Sequence, residues 1–147
     1  MNATSAPVIG ICGGGNLAHA MAGWLGARGL RVNILTRKPE QWDKTISASF
    51  PDGTALRAPL GRISNHPEIL EECSLVLVAV PRFGIREICL RIKPFLRRDQ
   101  GLAIVPGTPD VMDMAEDASW TSSVSLMGIY KVCLLYTSPS PRDMRRS

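Results

Sequence analysis

The chain has 147 residues, 45% of them hydrophobic and 20% charged, which suits one domain with a buried core and not two domains of ordinary size. The net charge is +4, but the residues from 131 onward contribute +3 of it, from four basic residues and one acidic residue. The remaining residues carry only +1, from 13 basic and 12 acidic residues, which argues against a nucleic-acid partner. The longest apolar run, residues 75–80, is far too short to cross a bilayer, which argues against a membrane protein.

The cysteines and the first residues indicate a cytoplasmic protein. No two cysteines form a C-x-x-C pair, so we expect reduced thiols and no metal site; the four are Cys12, Cys73, Cys89 and Cys133. Residues 1–7 lack a basic segment followed by an apolar stretch, so we expect a short flexible leader and not a signal peptide.

A glycine-rich loop follows the first predicted strand, residues 8–12. Gly13, Gly15 and Ala18 form the pattern G-x-G-x-x-A, in which the first glycine allows a tight turn, the second admits a pyrophosphate and the small third residue lets the helix approach the sheet. The unpaired amides of the helix then face the phosphates. The alternative is a merely tight turn between strand and helix. The predicted phosphate-binding residues are Gly13, Gly14, Gly15, Asn16, Leu17 and Ala18.

The end of the second predicted strand, residues 31–36, bears on the choice of cofactor. A binding unit for NAD places an acidic residue there to receive the adenosine ribose, whereas this chain has Thr36, Arg37 and Lys38. Two cations and a hydroxyl suit a ribose 2′-phosphate. We therefore expect an NAD(P) site with a mild preference for NADP. The alternative is that Arg37 and Lys38 are solvated loop residues.

The middle of the chain predicts a hairpin and a third strand. Residues 47–51 and 54–57 flank Asp52 and Gly53, which suit a tight turn, and we expect this hairpin at the edge of the sheet. Residues 61–64 predict a third strand of the main sheet, and Pro67 opens a short helix.

Two further strands, residues 75–80 and 102–105, are separated by a helical apolar stripe over residues 85–95. Ligands of doubly wound sheets lie beyond the carboxyl ends of the strands, so Val80, Pro81 and Gly107 should border the cofactor. Arg82 is expected either to contact phosphate or to lie in solvent. The alternation predicts an α/β fold of the Rossmann type, a doubly wound, mostly parallel sheet with a small β-hairpin insertion.

Several of these segments together resemble the N-terminal domain of opine dehydrogenases of the octopine and nopaline type. The likeness runs from about Val8 to Asp117. It rests on the glycine loop with His19, the strand end at Arg37, residues 40–42, the hairpin and residues 78–81 at the end of the apolar strand. It implies NAD(P)H-dependent reductive condensation of an amino acid with a 2-oxo acid. It also implies a second, helical domain that carries the small-molecule substrate site and the catalytic residues.

This second domain is expected to be absent, and we assign no catalytic residue here. Residues 1–130 are predicted to form the dinucleotide-binding domain of an inactive fragment, and residues 131–147 a disordered, non-native tail that resembles translated read-through of a sequencing adapter. The alternative for this tail is a disordered basic segment with Ser-Pro phosphorylation sites. Alternative functions are the cofactor domain of a glycerol-3-phosphate dehydrogenase or ketopantoate reductase-like enzyme, and a non-catalytic nucleotide-binding module.

Overall fold

The computed structural model describes residues 7–49, 52–116 and 125–129. The strands are β1 Val8–Cys12, β2 Arg31–Leu35, β3 Thr45–Ser49, β4 Ala55–Pro59, β5 Ile63–Ser64, β6 Leu75–Val78, β7 Gly101–Ile104 and β8 Ser125–Gly128. The helices are α1 Asn16–Gly26, α2 Ile85–Ile92 and α3 Pro109–Glu116, and single 3₁₀ turns span Pro39–Gln41, Pro67–Leu70, Arg82–Gly84 and Lys93–Phe95. Residues 1–6 of the expected leader and the expected tail (131–147) lie outside the described residues.

The main sheet has six parallel strands in the order β5-β2-β1-β6-β7-β8. Counted within this sheet, the order is 3-2-1-4-5-6, the arrangement of doubly wound dinucleotide-binding folds. Strands β2 and β5 are added on one side of β1, and β6, β7 and β8 on the other. The connections therefore diverge between β1 and β6, and a crevice opens beyond the carboxyl ends of these two strands. The predicted fold class is confirmed.

Two hydrophobic cores lie on the two faces of this sheet. One packs Ile11 and Ile34 against Ala18 and Met21 of α1. The other packs Val76 and Val78 of β6 and Leu102 and Ile104 of β7 against α2 and α3. Both faces of the central strands are covered, which explains why their sequences are almost continuously apolar.

The predicted hairpin forms, but it lies at a different place in the fold from the one predicted. β3 and β4 pair antiparallel, with Gly53 of the turn at φ +92°, as the Asp52-Gly53 dipeptide predicts. The pair is a separate two-stranded sheet packed on α1, where Ile46 and Ala58 are buried. Our prediction that it lies at the edge of the main sheet was therefore wrong, because the hairpin has two apolar residues, Ile46 and Ala58, whose burial against the helix is favourable.

Two buried amide side chains hold the segment that precedes β6. Gln100, 1% exposed, donates from Nε2 to the carbonyl oxygens of Leu70 and Cys73, both at 2.7 Å. Asn33, fully buried in β2, donates to the Ile69 carbonyl oxygen at 3.0 Å and to the Glu72 carboxylate at 2.6 Å. These bonds fix the start of the strand whose other end faces the crevice.

Candidate functional site

The turn from β1 into α1 is built around Gly13. Its φ of +144° is rarely adopted by other residues, and a Cβ there would overlap the carbonyl oxygen of Ala79, the residue after β6. Its amide donates to the Leu35 carbonyl oxygen of β2 at 3.0 Å. Ala18 is fully buried beside it. Gly13 therefore joins the ends of three strands and brings α1 close to the sheet.

Gly15, the N-cap of α1, has a different environment. Its backbone is extended, with φ −88° and ψ −167°, and a Cβ built on it meets no atom within 4 Å. The helix has no side-chain cap and no acidic residue in its first turn. The amides of Asn16, Leu17 and Ala18 are thus left without a helical acceptor, beside open space, in the position where a helix attracts an anion.

The segment after β2 forms the opposite wall. Thr36 is 8% exposed, and its hydroxyl accepts a hydrogen bond from the Lys38 amide at 3.3 Å. A Cβ on Gly14 would lie 3.0 Å from this hydroxyl, so the glycine loop and the strand end are in close contact. Arg37 and Lys38 are exposed.

A cavity of about 700 Å³ lies between these walls and the end of β6. Its volume suits a nucleotide-sized ligand. The predicted residues that line it are Gly13, Gly14, Thr36, Arg37, Lys38, Val80 and Pro81. Gly15, Asn16, Leu17 and Ala18 lie on the helix turn beyond this lining, and Gly107 lies after β7 and also does not line the cavity.

Sequence reasoning missed the wall formed by α2 and the turn before it. Gly84, Glu87, Ile88 and Arg91 all line the cavity, and their spacing of three and four places them on one helical face. The Glu87 Oε1 atom lies 3.4 Å from Nη2 of Arg37. That spacing was present in the sequence, but nothing in it indicated that this face meets the end of β2. Gln41, Asn65 and Phe83 are further lining residues that we did not predict.

Arg82 lies after β6 and pairs with an acid from α3. Its Nε atom lies 2.6 Å from Oδ2 of Asp110, and the Thr108 hydroxyl donates to the other carboxylate oxygen at 2.6 Å. The bond from Thr108 and then that from Arg82 lower the pKa of the Asp110 carboxyl to about 2. Neither expectation for Arg82 anticipated this ion pair, which ties together the loops after β6 and β7.

The His19 ring stacks on Trp42, with centroids 3.7 Å apart and planes at 14°. Its Nδ1 atom lies 2.9 Å from the Gly15 carbonyl oxygen, and because that oxygen only accepts, Nδ1 carries the hydrogen. Trp42 is 8% exposed. The stack connects the first turn of α1 to the segment after β2.

Gly107 has a packing reason for lacking a side chain, because a Cβ there would overlap the backbone of Gly128 in β8. The thiols of Cys12, Cys73 and Cys89 are buried, and burial raises the pKa of each, to about 12 for Cys73 and about 11 for Cys89. Cys12 is thus a small residue of the hydrophobic core. Within the described ranges, no three His, Cys, Asp or Glu residues are grouped so as to hold a metal ion, and no helix is long and apolar enough to cross a membrane.

The parallel sheet, the open helix N-terminus and the adjoining crevice define a nucleotide-binding α/β domain of the Rossmann type. Residues 8–107 match the model of the N-terminal domain of NAD-dependent glycerol-3-phosphate dehydrogenase. The chain belongs to this family of NAD-binding dehydrogenase domains.

One curated relative and two solved structures show this likeness, the two structures in fold alone. A glycerol-3-phosphate dehydrogenase [NAD(P)+] of Clostridium acetobutylicum is 31% identical over 93 residues, which cover 60% of this chain and 28% of that enzyme. An octopine dehydrogenase solved with NADH and L-arginine superposes with a TM-score of 0.69 at 24% identity, covering 84% of this chain and 34% of that one. A ketopantoate reductase of Ralstonia eutropha superposes with a TM-score of 0.66 at 16% identity, covering 81% and 39%. The chain therefore spans about a third or less of the glycerol-3-phosphate and octopine enzymes.

Proposed function

We propose that this chain binds a nicotinamide dinucleotide as the cofactor domain of an NAD(P)-dependent dehydrogenase. The observation that carries the proposal is the open space beside Gly15, where no atom lies within 4 Å of a Cβ, next to the unpaired amides of α1. A pyrophosphate fits this position because its charge and acceptor oxygens match the amide donors and the positive end of the helix dipole.

The residues around the cavity would each hold one part of the cofactor. The amides from Gly15 to Ala18 bind the pyrophosphate. Thr36, Arg37 and Lys38 face the adenosine ribose, and Val80 and Pro81 border the nicotinamide side at the end of β6. Gly107 lies beyond the cavity lining, at the end of β7 on the same edge of the sheet. When bound, the nicotinamide supplies a site that accepts or donates a hydride.

We propose a mild preference for NADP. Arg37 and Lys38 replace the acid that would accept bonds from the two ribose hydroxyls, and a planar guanidinium suits a phosphate with two parallel hydrogen bonds. The family description names NAD, and the C. acetobutylicum relative is named for NAD(P)+, so the preference is a property to be measured for this chain.

The proposal also concerns the substrate of the whole dehydrogenase, for which there are two candidates. An opine-type reaction, the condensation of an amino acid with a 2-oxo acid, is supported by the sequence motifs and by the likeness in fold to octopine dehydrogenase. Oxidation or formation of glycerol 3-phosphate is the second candidate, and it is supported by the family match and by the curated relative. In both cases we propose that the catalytic groups lie in a region that the relatives possess beyond the matched part.

The cofactor proposal is tested by titrating the full chain with NADH and NADPH and following nucleotide fluorescence. We expect saturable binding of both and tighter binding of NADPH; a folded chain that binds neither would contradict the proposal. The substrate is tested on the full-length gene product. NAD(P)H oxidation that requires an amino acid together with a 2-oxo acid favours the opine reaction, and NAD(P)+ reduction by glycerol 3-phosphate favours the second candidate.

A further inference from the structure

Glu87 differs in charge from the other residues that line the cavity. It is the only acidic residue among the described residues that line it, and its neighbours include three cations, Arg37, Lys38 and Arg91. Its carboxylate comes from α2, an element on the other side of the crevice from the end of β2. The position where dinucleotide-binding folds most often place an acid, the end of β2, holds no carboxylate here.

The partner of Glu87 is the cation that we assign to the ribose. The Oε1 atom of Glu87 lies 3.4 Å from Nη2 of Arg37. Arg91, by contrast, is turned toward Asn65, to whose carbonyl oxygen and side-chain oxygen it donates. Glu87 is therefore paired with Arg37, and Arg91 is held by Asn65 instead.

We propose that Glu87 is a specificity-determining residue that weakens the preference for a nucleotide with a 2′-phosphate. This inference rests on the proposed function, because it takes Arg37 as the group nearest the adenosine ribose. A 2′-phosphate must compete with the carboxylate for the guanidinium and also experiences its like charge. A nucleotide with a 2′-hydroxyl meets neither cost.

The exposure of the two side chains determines how strongly the charge of Glu87 should affect NADPH binding. The side chains of Arg37 and Glu87 are 80% and 72% exposed, so water and salt screen their interaction. We therefore expect removal of the charge on Glu87 to tighten NADPH binding by roughly 3- to 10-fold at low ionic strength, and by less at higher ionic strength. NADH binding should change by less than about 2-fold, because NADH carries no charge at the ribose 2′ position.

The test compares Glu87→Gln with the unaltered chain by fluorescence titration of NADPH and NADH. Glu71→Gln is the matched control, since Glu71 is an exposed acid that does not line the cavity. We expect the ratio of NADPH affinity to NADH affinity to rise for Glu87→Gln and to stay constant for Glu71→Gln. In an Arg37→Gln background, the Glu87→Gln change should have a smaller effect on NADPH, because the cation for which the two anions compete is gone.

Two outcomes separate this inference from the proposed function. If the unaltered chain binds both nucleotides and Glu87→Gln leaves their affinity ratio unchanged, the role of Glu87 is wrong and the cofactor site stands. If the folded chain binds neither nucleotide, the proposed function fails and the inference fails with it.

Discussion

Substitution of Gly15 by valine separates a binding role from a structural role. The backbone at this position, φ −88° and ψ −167°, is accessible to valine, and no atom lies within 4 Å of the new Cβ. Glycine is a better N-cap than valine, so we expect a loss of about 1 kcal/mol of stability at most, and a fall in Tm of about 4 °C or less.

The effect on binding should be far larger. The branched side chain would occupy the open space in front of the first-turn amides. Loss of two hydrogen bonds between amides and a charged phosphate costs about 3–6 kcal/mol, since each contributes about 1.5–3 kcal/mol. This corresponds to a loss of affinity of roughly 100-fold or more.

Gly13→Ala is the contrasting variant. Alanine is strained at φ +144°, and its Cβ would overlap the Ala79 carbonyl oxygen, so we expect a loss of more than about 2 kcal/mol of stability. Thermal unfolding followed by circular dichroism measures stability, and NADPH fluorescence measures binding. A folded Gly15→Val chain whose affinity stays within about 2-fold of the original would refute our assignment of the loop as a phosphate site.

Three further predictions concern other parts of the molecule. Arg37→Glu should reverse the order of affinities, so that NADH binds more tightly than NADPH in the same titration; unchanged relative affinities would refute the assignment of the β2 end to the ribose. Gln100→Ala leaves two buried carbonyl oxygens without their donor and should cost about 2–3 kcal/mol in urea unfolding, whereas the exposed Gln41→Ala should cost less than about 0.5 kcal/mol. The folded pKa of Asp110, about 2, lies below its ordinary 3.8, so its contribution to stability is present above about pH 4 and is lost as the pH falls through about 2. The difference in unfolding free energy between the original chain and Asp110→Asn should therefore shrink over that range, and a constant difference would contradict the role of its bonds to Thr108 and Arg82.

Local signals predicted much of the sheet. β1 begins and ends at the predicted residues, and the other predicted strands appear with ends shifted by one to two residues. Apolar runs bounded by glycine, proline and polar turns are sufficient to locate these strands, because a strand that is buried on both faces is apolar along almost its whole length. β8 was not predicted, because Ser125–Gly128 is too short and too mixed in composition to indicate a strand. α3 was also not predicted, although Pro109 at its first position favours a helix start.

The residues of the candidate site also fall into two groups, those that local sequence predicts and those that it does not. The glycine loop and the end of β2 are adjacent in the predicted topology, so spacing alone was enough to predict that Gly13, Gly14 and Thr36 would lie together at one cavity. The Glu87–Arg37 pair joins residues 50 positions apart, and the Arg82–Asp110 pair joins residues 28 positions apart. Such pairs depend on how α2 and α3 pack against the sheet, and the local sequence pattern of these helices does not specify that packing. For Gly107, close contact with Gly128 is a packing reason that the sequence did not indicate.

The most direct test of the central claim is a map of backbone amide shifts by NMR as NADPH is added to the full chain. Binding at the proposed site predicts that the largest shifts occur at Gly15, Asn16, Leu17 and Ala18, with a second group at Thr36, Arg37 and Lys38. A folded chain in which these amides do not respond, or in which the largest shifts fall on the hairpin formed by β3 and β4, would contradict the assignment.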